Sequence, residues 1–263
     1  MTKTKIPWAD YVWNPVTGCT PAGEGCIHCY AKPLHNKRHE AYKAGKLQNM
    51  PQYAKPFNVV QCLPKRLDQP LSLRKPARIF VDSMSDLFHK DVPQWFVHEV
   101  VARIQICPRH DFIVLTKRPE TAHDALRGRC AKYGMDLAVV ARRNVWLLVS
   151  AWDQASAEAA MPLLLDTPAA VRGLSLEPLL GPVDLAAIPG AEKLDWIIAG
   201  GETGGYSRSR HCETGWIAWI ADWCARHNVP YFWKQWGDHF VGNSDARTAL
   251  LPWNRREYPR AKA

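Results

Sequence analysis

Short runs of apolar, β-prone residues alternate along the chain with longer stretches whose apolar positions recur at helical spacing. The runs are apolar throughout, which is typical of strands that are covered on both faces. Strands that alternate with helices predict parallel pairing and right-handed crossovers. We predict a first strand near residues 11–14 and further strands at 78–81, 112–115, 145–149, 171–176, 196–199 and 229–233.

Helical patterns occupy four of the intervals between these runs, at residues 94–106, 120–133, 154–165 and 214–227. The pattern predicts an α/β fold, a full or partial parallel (β/α) barrel of about six to seven strands, with a doubly wound open sheet as the alternative. Since no internal repeat, low-complexity stretch or interdomain linker is present, we expect a single domain over residues 1–263.

Polar and charged residues follow nearly every predicted strand. In β/α barrels the carboxyl ends of the strands form the active face. A polar residue at such a place can also be a helix cap, but six strands that end in this way favour a functional rim. The candidates are Ser83, Ser85 and Asp86 after the first run, then Lys117, Arg118, Ser150, Glu177, Glu202 and Lys234.

The composition indicates the cellular compartment of the protein and the charge of its partner. No apolar run reaches the roughly 18 residues of a membrane span, and the first residues lack the apolar core of a signal peptide, so we expect a cytoplasmic protein that contacts no membrane. A reducing compartment argues against a disulfide framework for the eight cysteines. Five of them are scattered singly, as small buried apolar residues are.

The net charge of +9 is concentrated between residues 31 and 80, where Glu40 and Asp68 are the only acids. A local basic block suits a polyanionic substrate, either nucleic acid or a phosphorylated small molecule, although a solvated surface insertion would have the same composition. We therefore expect a basic insertion at 31–77 and a basic C-terminal tail at 238–263. The candidate contacts to nucleic acid are Lys37, Arg38, Lys65, Arg66, Arg74 and Lys75.

Three cysteines, Cys19, Cys26 and Cys29, share one loop that contains glycine and proline, with C-x6-C-x2-C spacing. A structural zinc site needs four ligands, and His28 or His35 would have to supply the fourth. A [4Fe–4S] cluster held by three thiolates leaves one iron without a protein ligand. Three thiolates without an obvious fourth ligand favour the cluster, while the spacing alone leaves both metals open.

The motifs W-N-P-V-T-G-C (13–19), G-C-I-H-C-Y-A (25–31), D-S-M-S-D-L-F (82–88), L-T-K-R-P (115–119) and F-W-K-Q-W-G (232–237) give the chain a specific resemblance. It resembles the radical SAM superfamily, and more closely a phage- and prophage-associated family with a three-cysteine motif. The closer resemblance runs from residue 13 to residue 237. The common superfamily spacing is C-x3-C-x2-C, so the first gap is longer here.

The resemblance implies a barrel-like fold and a [4Fe–4S] cluster that chelates S-adenosylmethionine (SAM) through its amino and carboxylate groups. An electron from the cluster would cleave the sulfonium and release a 5′-deoxyadenosyl radical. The position before the last cysteine, here His28, would lie near the adenine. The superfamily's G-G-E stretch follows its second strand, whereas here it occurs only at 200–202, so by position Ser83, Ser85 and Asp86 are the candidates for the amino group.

The remaining rim residues receive roles as hypotheses. Lys117 and Arg118 could pair with the SAM carboxylate or with a substrate phosphate. Glu177 and Glu202 could hold ribose hydroxyls or a substrate amine, and Lys234, between Trp233 and Trp236, could bind substrate. We take Lys117, Glu177, Glu202 and Lys234 as candidate catalytic residues and Ser150 as a cofactor contact; a rim salt bridge is the alternative for each.

The leading interpretation is a radical SAM enzyme, supplied by an external one-electron reductant, that modifies or rearranges a nucleic-acid base. Thymine hypermodification in phage DNA is the favoured substrate chemistry, which would place the protein in the host cytoplasm; lesion repair and RNA modification are others. Isomerase, transferase and lyase outcomes all remain open. The alternatives are a zinc or iron–sulfur module that binds nucleic acid without catalysis, and a radical SAM enzyme with a peptide or metabolite substrate.

Overall fold

Contacts between residues divide the chain into two compact units. The computed structural model describes residues 1–205, 207–239 and 252–259. The first unit comprises Met1–Ala22, Cys29–Leu147 and Thr167–Ala170, and the second comprises Gly23–His28, Leu148–Asp166 and Val171–Ala263. The expected single domain and the insertion at 31–77 stay predictions. Of the expected tail, residues 238–239 and 252–259 are described and the rest lies outside the described residues.

The predicted α/β class with a mostly parallel sheet is confirmed. Eight strands of one sheet follow one another in chain order, β1 to β8. Pairing is parallel from β2 to β4 and from β6 to β8. The strands are β1 (Thr2–Lys3), β2 (Tyr11–Trp13), β3 (Arg78–Val81), β4 (Asp111–Thr116), β5 (Val145–Ala151), β6 (Val171–Leu176), β7 (Trp196–Gly200) and β8 (Tyr231–Gln235).

The strand beyond the predicted six to seven is β1, which pairs with β2 in the antiparallel direction. Six α-helices lie in the described part of the chain. They are α1 (Ala31–Lys43), α2 (Gln94–Gln105), α3 (Pro119–Arg127), α4 (Leu137–Asn144), α5 (Gln154–Asp166) and α6 (Thr214–His227). None of these helices combines the length and the apolar character that crossing a bilayer requires.

The helix predicted at 120–133 is wrong in its second half. Helix α3 ends at Arg127, and Gly128 follows with an extended backbone. The next residues form an antiparallel pair, Arg129–Cys130 with Met135–Asp136. Asp136 then caps α4, because its side chain accepts hydrogen bonds from the Ala138 and Val139 amides.

The core of the first unit contains the inward side chains of β3, β4 and α2. Helix α2 buries positions three and four apart, as an amphipathic helix does, and β4 buries consecutive residues. Trp13, at the end of β2, is fully buried and packs edge-on against Phe112, while its indole nitrogen donates to the Arg66 carbonyl (2.7 Å). The end of β2 is therefore tied to the basic segment at the backbone of Arg66.

The core of the second unit contains β7, whose five residues are all buried, and one face of α6. The helical spacing predicts a buried stripe of Trp216, Ile217, Ile220 and Trp223 or Cys224; the last four are buried in α6, whereas Trp216 is half-buried. Strand β7 has helix contacts on one side and parallel neighbours on both edges, so its carboxyl end is held in a fixed position for the residues that follow it.

Candidate functional site

Cys19, the first thiol of the predicted metal site, lies in a backbone segment that is fixed on two sides. The Gly18 amide donates to the Met84 carbonyl (3.2 Å), and the Cys19 amide donates to the Phe57 carbonyl (2.8 Å). Gly18 has a φ of +86°, in the left-handed region that favours glycine. An added Cβ would lie 2.9 Å from the Val59 carbonyl carbon and would overlap its oxygen. Only glycine fits before this thiol.

Arg118, directly after β4, reaches the Cys19 sulfur. Its Nη1 lies 3.8 Å from Cys19 Sγ and 3.0 Å from Asp86 Oδ2, and its Nη2 donates to the Thr20 carbonyl (2.7 Å). The Arg118 amide donates to Thr116 Oγ1 (2.9 Å). A guanidinium presents its donors in a rigid planar fork, so these acceptors fix one orientation in which the positive charge faces the thiol.

Asp86, a predicted cofactor ligand, is a buried centre of hydrogen bonds. Its Oδ1 accepts from the Phe88 amide (3.0 Å) and the Thr116 hydroxyl (2.9 Å), and its Oδ2 accepts from the Lys117 amide (3.1 Å) and from Arg118. Asp86 therefore joins the residues after β3 to the end of β4. The half-buried Lys117 ammonium has no ion-pair or hydrogen-bond partner within the described ranges, which leaves it available to an anion.

His89 belongs to this site, although the sequence analysis did not select it. The ring is buried, and its Nε2 lies 2.7 Å from Thr20 Oγ1. The Asp91 amide donates to Nδ1 (3.1 Å), so we assign the ring proton to Nε2, which donates to the threonine hydroxyl. Burial and the positive charge of Arg118 lower the pKa of His89. A neutral His89 therefore holds the residue that follows Cys19.

Ser83 and Ser85, the other predicted cofactor ligands after β3, donate to neighbouring loops. Ser83 Oγ donates to Asn14 Oδ1 (3.1 Å), and Ser85 Oγ donates to the Val16 carbonyl (2.9 Å). The Tyr30 hydroxyl donates to the Ser83 carbonyl (2.5 Å). Since both serine protons are engaged, these hydroxyls offer a ligand their acceptor lone pairs, which suits an amino group.

Asp82 is a second residue that the site predictions omitted. It has a φ of +60°, rare outside glycine, and its side chain is buried. Its Oδ1 accepts from the Val16 amide (2.9 Å), while Oδ2 is buried without a partner among the described residues. Burial raises the pKa of Asp82 well above its usual range, more than the Val16 hydrogen bond lowers it. Burial therefore disfavours the charged form of this carboxyl at the end of β3.

We expect Asp82→Asn to raise the free energy of unfolding at pH 7 to 8. A raised folded-state pKa gives stability that is present below the unfolded value of about 3.8 and is lost as pH rises, because folding must then protonate the carboxyl. Each pKa unit corresponds to about 1.4 kcal/mol. Asparagine tolerates positive φ and keeps the acceptor for Val16, so the gain should shrink steadily as pH falls towards 4.

Urea unfolding between pH 4 and pH 8 measures this difference. Asp124→Asn, at an exposed carboxylate, is the matched control and should change stability little at any pH. A gain that does not depend on pH would contradict the raised pKa of Asp82.

His28 and Glu202 lie together in the second unit. His28 Nδ1 is 2.9 Å from Glu202 Oε2, and Glu202 is buried directly after β7. Cys26 lies two residues before His28, in the 3-10 turn Glu24–Cys26, where its amide donates to the Gly23 carbonyl (3.0 Å). His28, the predicted adenine contact, and Glu202, a predicted catalytic residue, therefore contact one another close to Cys26 in the sequence.

Arg210 completes this contact and was not selected from the sequence. Its Nε lies 3.0 Å from Glu202 Oε2 and its Nη2 lies 2.5 Å from Oε1. The same Nη2 donates to the Glu24 carbonyl (3.1 Å), and Nη1 lies 3.6 Å from Glu24 Oε2. Burial alone would raise the pKa of Glu202, but the hydrogen bonds from Arg210 and His28 lower it to about 2. Glu202 is therefore ionised, and it holds His28 directly and Glu24 through Arg210.

The G-G-E stretch owes its glycines to backbone packing. An added Cβ on Gly201 would overlap the Trp236 carbonyl oxygen. An added Cβ on Gly237, which has a φ of +85°, would overlap the Glu202 backbone. The segments after β7 and β8 therefore approach so closely that side chains are excluded, and Glu202 is the first position that carries one.

Glu177 and Lys234, both predicted catalytic residues, form an ion pair. Lys234 Nζ lies 3.1 Å from Glu177 Oε1, outside hydrogen-bonding geometry, and Ser175 Oγ donates to Oε2 (3.3 Å). Ser150 is buried in β5, and its Oγ has no partner within the described ranges. A shallow cleft follows Lys234; it is lined by Thr203, Trp233, Gln235, Trp236, Gly237 and Asp238.

The predicted nucleic-acid contacts divide by exposure. Arg38 donates to the Tyr53 hydroxyl (2.6 Å) and lies over its ring, and Arg66 donates to the Asn14 carbonyl (3.2 Å). Both arginines are half-buried and take part in the packing of the first unit. The exposed members of the set, which can reach a phosphate without rearrangement, are Lys37, Lys65, Arg74 and Lys75.

All eight cysteines are thiols rather than disulfides, as expected. Cys19, Cys26 and Cys29 are half-buried. Of the five scattered thiols, Cys107, Cys130, Cys212 and Cys224 are buried as predicted, whereas Cys62 is half-buried. His35, a candidate zinc ligand, is buried and its Nε2 lies 2.9 Å from the Lys55 carbonyl. Within the described ranges, no three His, Cys, Asp or Glu side chains converge on one point that a single metal ion could fill.

Two solved structures resemble this chain at low sequence identity. "Spore photoproduct lyase complexed with dinucleoside spore photoproduct" is 11% identical, covers 91% of this chain and 79% of its own, and has a TM-score of 0.46. The other is a cysteine-to-serine mutant of spore photoproduct lyase, which is 12% identical, with the same coverage and a TM-score of 0.49. Both likenesses are distant.

No curated protein matches the sequence. A family model does match, over residues 3–255, and its description is "protein of unknown function (DUF5131)". Because that match takes in nearly the whole chain, the protein belongs to the DUF5131 family.

Proposed function

We propose that this protein is a radical SAM enzyme that modifies a nucleic-acid base, with DNA as the favoured substrate. One observation carries the proposal: in each of the two units, a residue that follows a parallel strand contacts the segment that contains a cysteine of the loop. Arg118, after β4, contacts Cys19, and Glu202, after β7, holds the segment that contains Cys26. Such strand ends form the active face of β/α enzymes.

The three thiols fit an iron–sulfur cluster by their chemistry. They are soft donors, each is half-buried rather than sealed, and a guanidinium lies beside Cys19. In the cluster, each cysteine binds a different iron, so the sulfurs need not meet at one point. The donor set therefore suits a cluster better than a single metal ion.

When bound, the cluster would supply the electron that cleaves the sulfonium of SAM. The chain's own residues bind and orient the substrates. We assign the Lys117 ammonium to the SAM carboxylate, and the acceptor oxygens of Ser83 and Ser85 to its amino group. The Glu177–Lys234 pair offers both charges to ribose hydroxyls or to the substrate base. Ser150 is buried, so we propose it only as a support beneath the cofactor.

The exposed basic residues are proposed to hold the nucleic-acid backbone. Four of the predicted contacts are exposed to solvent: Lys37, Lys65, Arg74 and Lys75. Exposed positive charges are sufficient for sequence-independent binding to phosphates. A base inside a duplex must be flipped out to reach a partly buried site. For the reaction we propose a rearrangement or bond formation on an already modified thymine, which rests on the resemblance to the phage-associated family.

Anaerobic reconstitution with iron and sulfide, followed by reduction in the presence of SAM, tests the enzyme proposal. We expect a brown protein with about four irons and four sulfides per chain, as a [4Fe–4S] cluster requires, and 5′-deoxyadenosine on chromatography. A colourless chain with one tightly bound zinc would overturn it.

The same preparation tests the substrate class. If the four exposed basic side chains meet phosphates, log K for a DNA duplex should fall with log salt at a slope of about −3.6. A slope near zero, together with intact SAM cleavage, would leave the enzyme class standing and exclude nucleic acid.

A further inference from the structure

We propose that Arg118 is a positioning residue that raises the reduction potential of the group bound at Cys19. The inference rests on the proposed function, since it concerns a cluster ligand. The contact that carries it lies wholly within the first unit: Arg118 Nη1 is 3.8 Å from Cys19 Sγ. Hydrogen bonds and charges at ligand sulfurs are among the factors that set the potential of an iron–sulfur cluster.

The guanidinium cannot turn away from the sulfur, because its other donors are held. Nη1 also donates to Asp86 Oδ2 (3.0 Å), and Nη2 donates to the Thr20 carbonyl (2.7 Å). Those acceptors are fixed in turn: the Thr20 hydroxyl contacts His89 Nε2 at 2.7 Å, and Asp86 is buried. The side chain of Arg118 is only 14% exposed, so solvent screens its charge weakly.

This geometry separates the roles of two neighbouring residues. By sequence alone, Lys117 and Arg118 are equal candidates for the SAM carboxylate or a phosphate. Arg118 is instead engaged by Asp86, by the Thr20 carbonyl and by the Cys19 sulfur, whereas Lys117 has no partner in the described part of the chain. Lys117 is therefore the residue for an external anion, and Arg118 acts on the cysteine.

The direction of the effect follows from charge. Reduction adds one electron, taken from the external one-electron donor, and no bond to the protein forms or breaks. A fixed positive charge beside a ligand sulfur stabilises the more negative, reduced state and so favours electron uptake. The carboxylate of Asp86 offsets part of that charge, since it lies on the same guanidinium nitrogen.

A redox titration of the reconstituted protein, followed by electron paramagnetic resonance, tests the inference. In Arg118→Gln we expect the ratio of oxidised to reduced cluster at the wild-type midpoint to rise at least tenfold, which is a fall of about 59 mV for a one-electron couple. Arg118→Lys keeps the positive charge, but its shorter side chain holds the charge farther from the Cys19 sulfur. Its midpoint potential should therefore lie between those of Arg118→Gln and the wild type.

Arg109→Gln is the matched control. Its guanidinium donates to the Leu71 and Leu73 carbonyls, and its loss should leave the midpoint unchanged. If the Arg118 variants take up the cluster and keep the wild-type midpoint potential, this inference is overturned while the proposed function stands. If Arg118→Gln takes up no cluster, Arg118→Lys decides by the same criterion. A wild-type chain that takes up no cluster overturns the proposed function, and this inference with it.

Discussion

Replacing Cys26 by alanine is expected to leave a folded chain that no longer cleaves SAM. The cysteine is half-buried in the 3-10 turn Glu24–Cys26, and the turn is closed by the hydrogen bond from its amide to the Gly23 carbonyl. Alanine can form the same backbone bond, so the fold should survive. The lost sulfur removes one of three ligands, and we expect 5′-deoxyadenosine formation to fall by more than about 100-fold, since even residues that only orient ligands cost 10- to 100-fold.

Cys62→Ala is the matched control for Cys26→Ala. Cys62 is also half-buried, but it lies in a strand pair with Val16, and burial raises the pKa of its thiol to about 11. It is therefore a poor thiolate ligand, and its removal should leave iron content and SAM cleavage at wild-type levels. Equal losses in both variants would mean that the cysteine loop has no special part in the chemistry.

Gly18→Ala should destabilise the protein and empty the predicted metal site together. The residue has a φ of +86°, and an added Cβ would overlap the Val59 carbonyl oxygen and lie 3.0 Å from the Phe57 oxygen. Positive φ costs a non-glycine residue about 1 to 2 kcal/mol, and overpacking costs about 1 to 3 kcal/mol more. We expect a loss of roughly 2 to 5 kcal/mol in the free energy of unfolding, with much lower iron uptake.

Gly45→Ala separates the two causes. Gly45 has a similar φ of +79°, but nothing lies within 4 Å of the position of an added Cβ. It should therefore show the backbone cost alone, about 1 to 2 kcal/mol, and should retain wild-type iron uptake. Thermal and urea unfolding compare the stabilities, and iron analysis after reconstitution compares the site. If both variants lost the same stability and kept their iron, the contact between Gly18 and Val59 would have no role in the site.

The strands and the central helices could be predicted because each has a local pattern of apolar and polar residues. Strands β3 to β8 are apolar runs, and the observed ranges of α2, α5 and α6 agree with the predicted ones to within one residue at each end. In each of these elements the buried face and the sequence period agree, so no distant contact was needed to recognise it.

The errors have equally local causes. Strand β1 has two exposed residues, so no apolar run marks it; its partner β2 provides the backbone hydrogen bonds. The segment predicted as helix to residue 133 contains Gly128, whose extended backbone ends α3 and allows an antiparallel pair and α4 to follow. A glycine inside a helical pattern lowers the helix propensity by about 1 kcal/mol, a signal that the periodicity outweighed.

The polar residues that follow the strands could be predicted from the sequence, but their pairings could not. The partners of those residues come from distant parts of the chain: His28 meets Glu202, which is 174 residues away, and Arg118 meets Cys19, which is 99 residues away. Arg210, His89 and Asp82 were missed for this reason, although the positive φ and burial of Asp82 distinguish it once the backbone is known.

The anchoring of the cysteine loop by Glu202 and Arg210 also dictates an order of events during synthesis. Chains emerge from the ribosome amino terminus first, at about 5 to 20 residues per second. His28 therefore waits for a further 174 residues, roughly 10 to 35 s, before its carboxylate partner is made. Until then Cys26 has no fixed surroundings, and its thiol is exposed to oxidation and to stray metal ions. If the chain takes up the proposed cluster, loading after the chain is complete would avoid this period, so we expect insertion to follow translation.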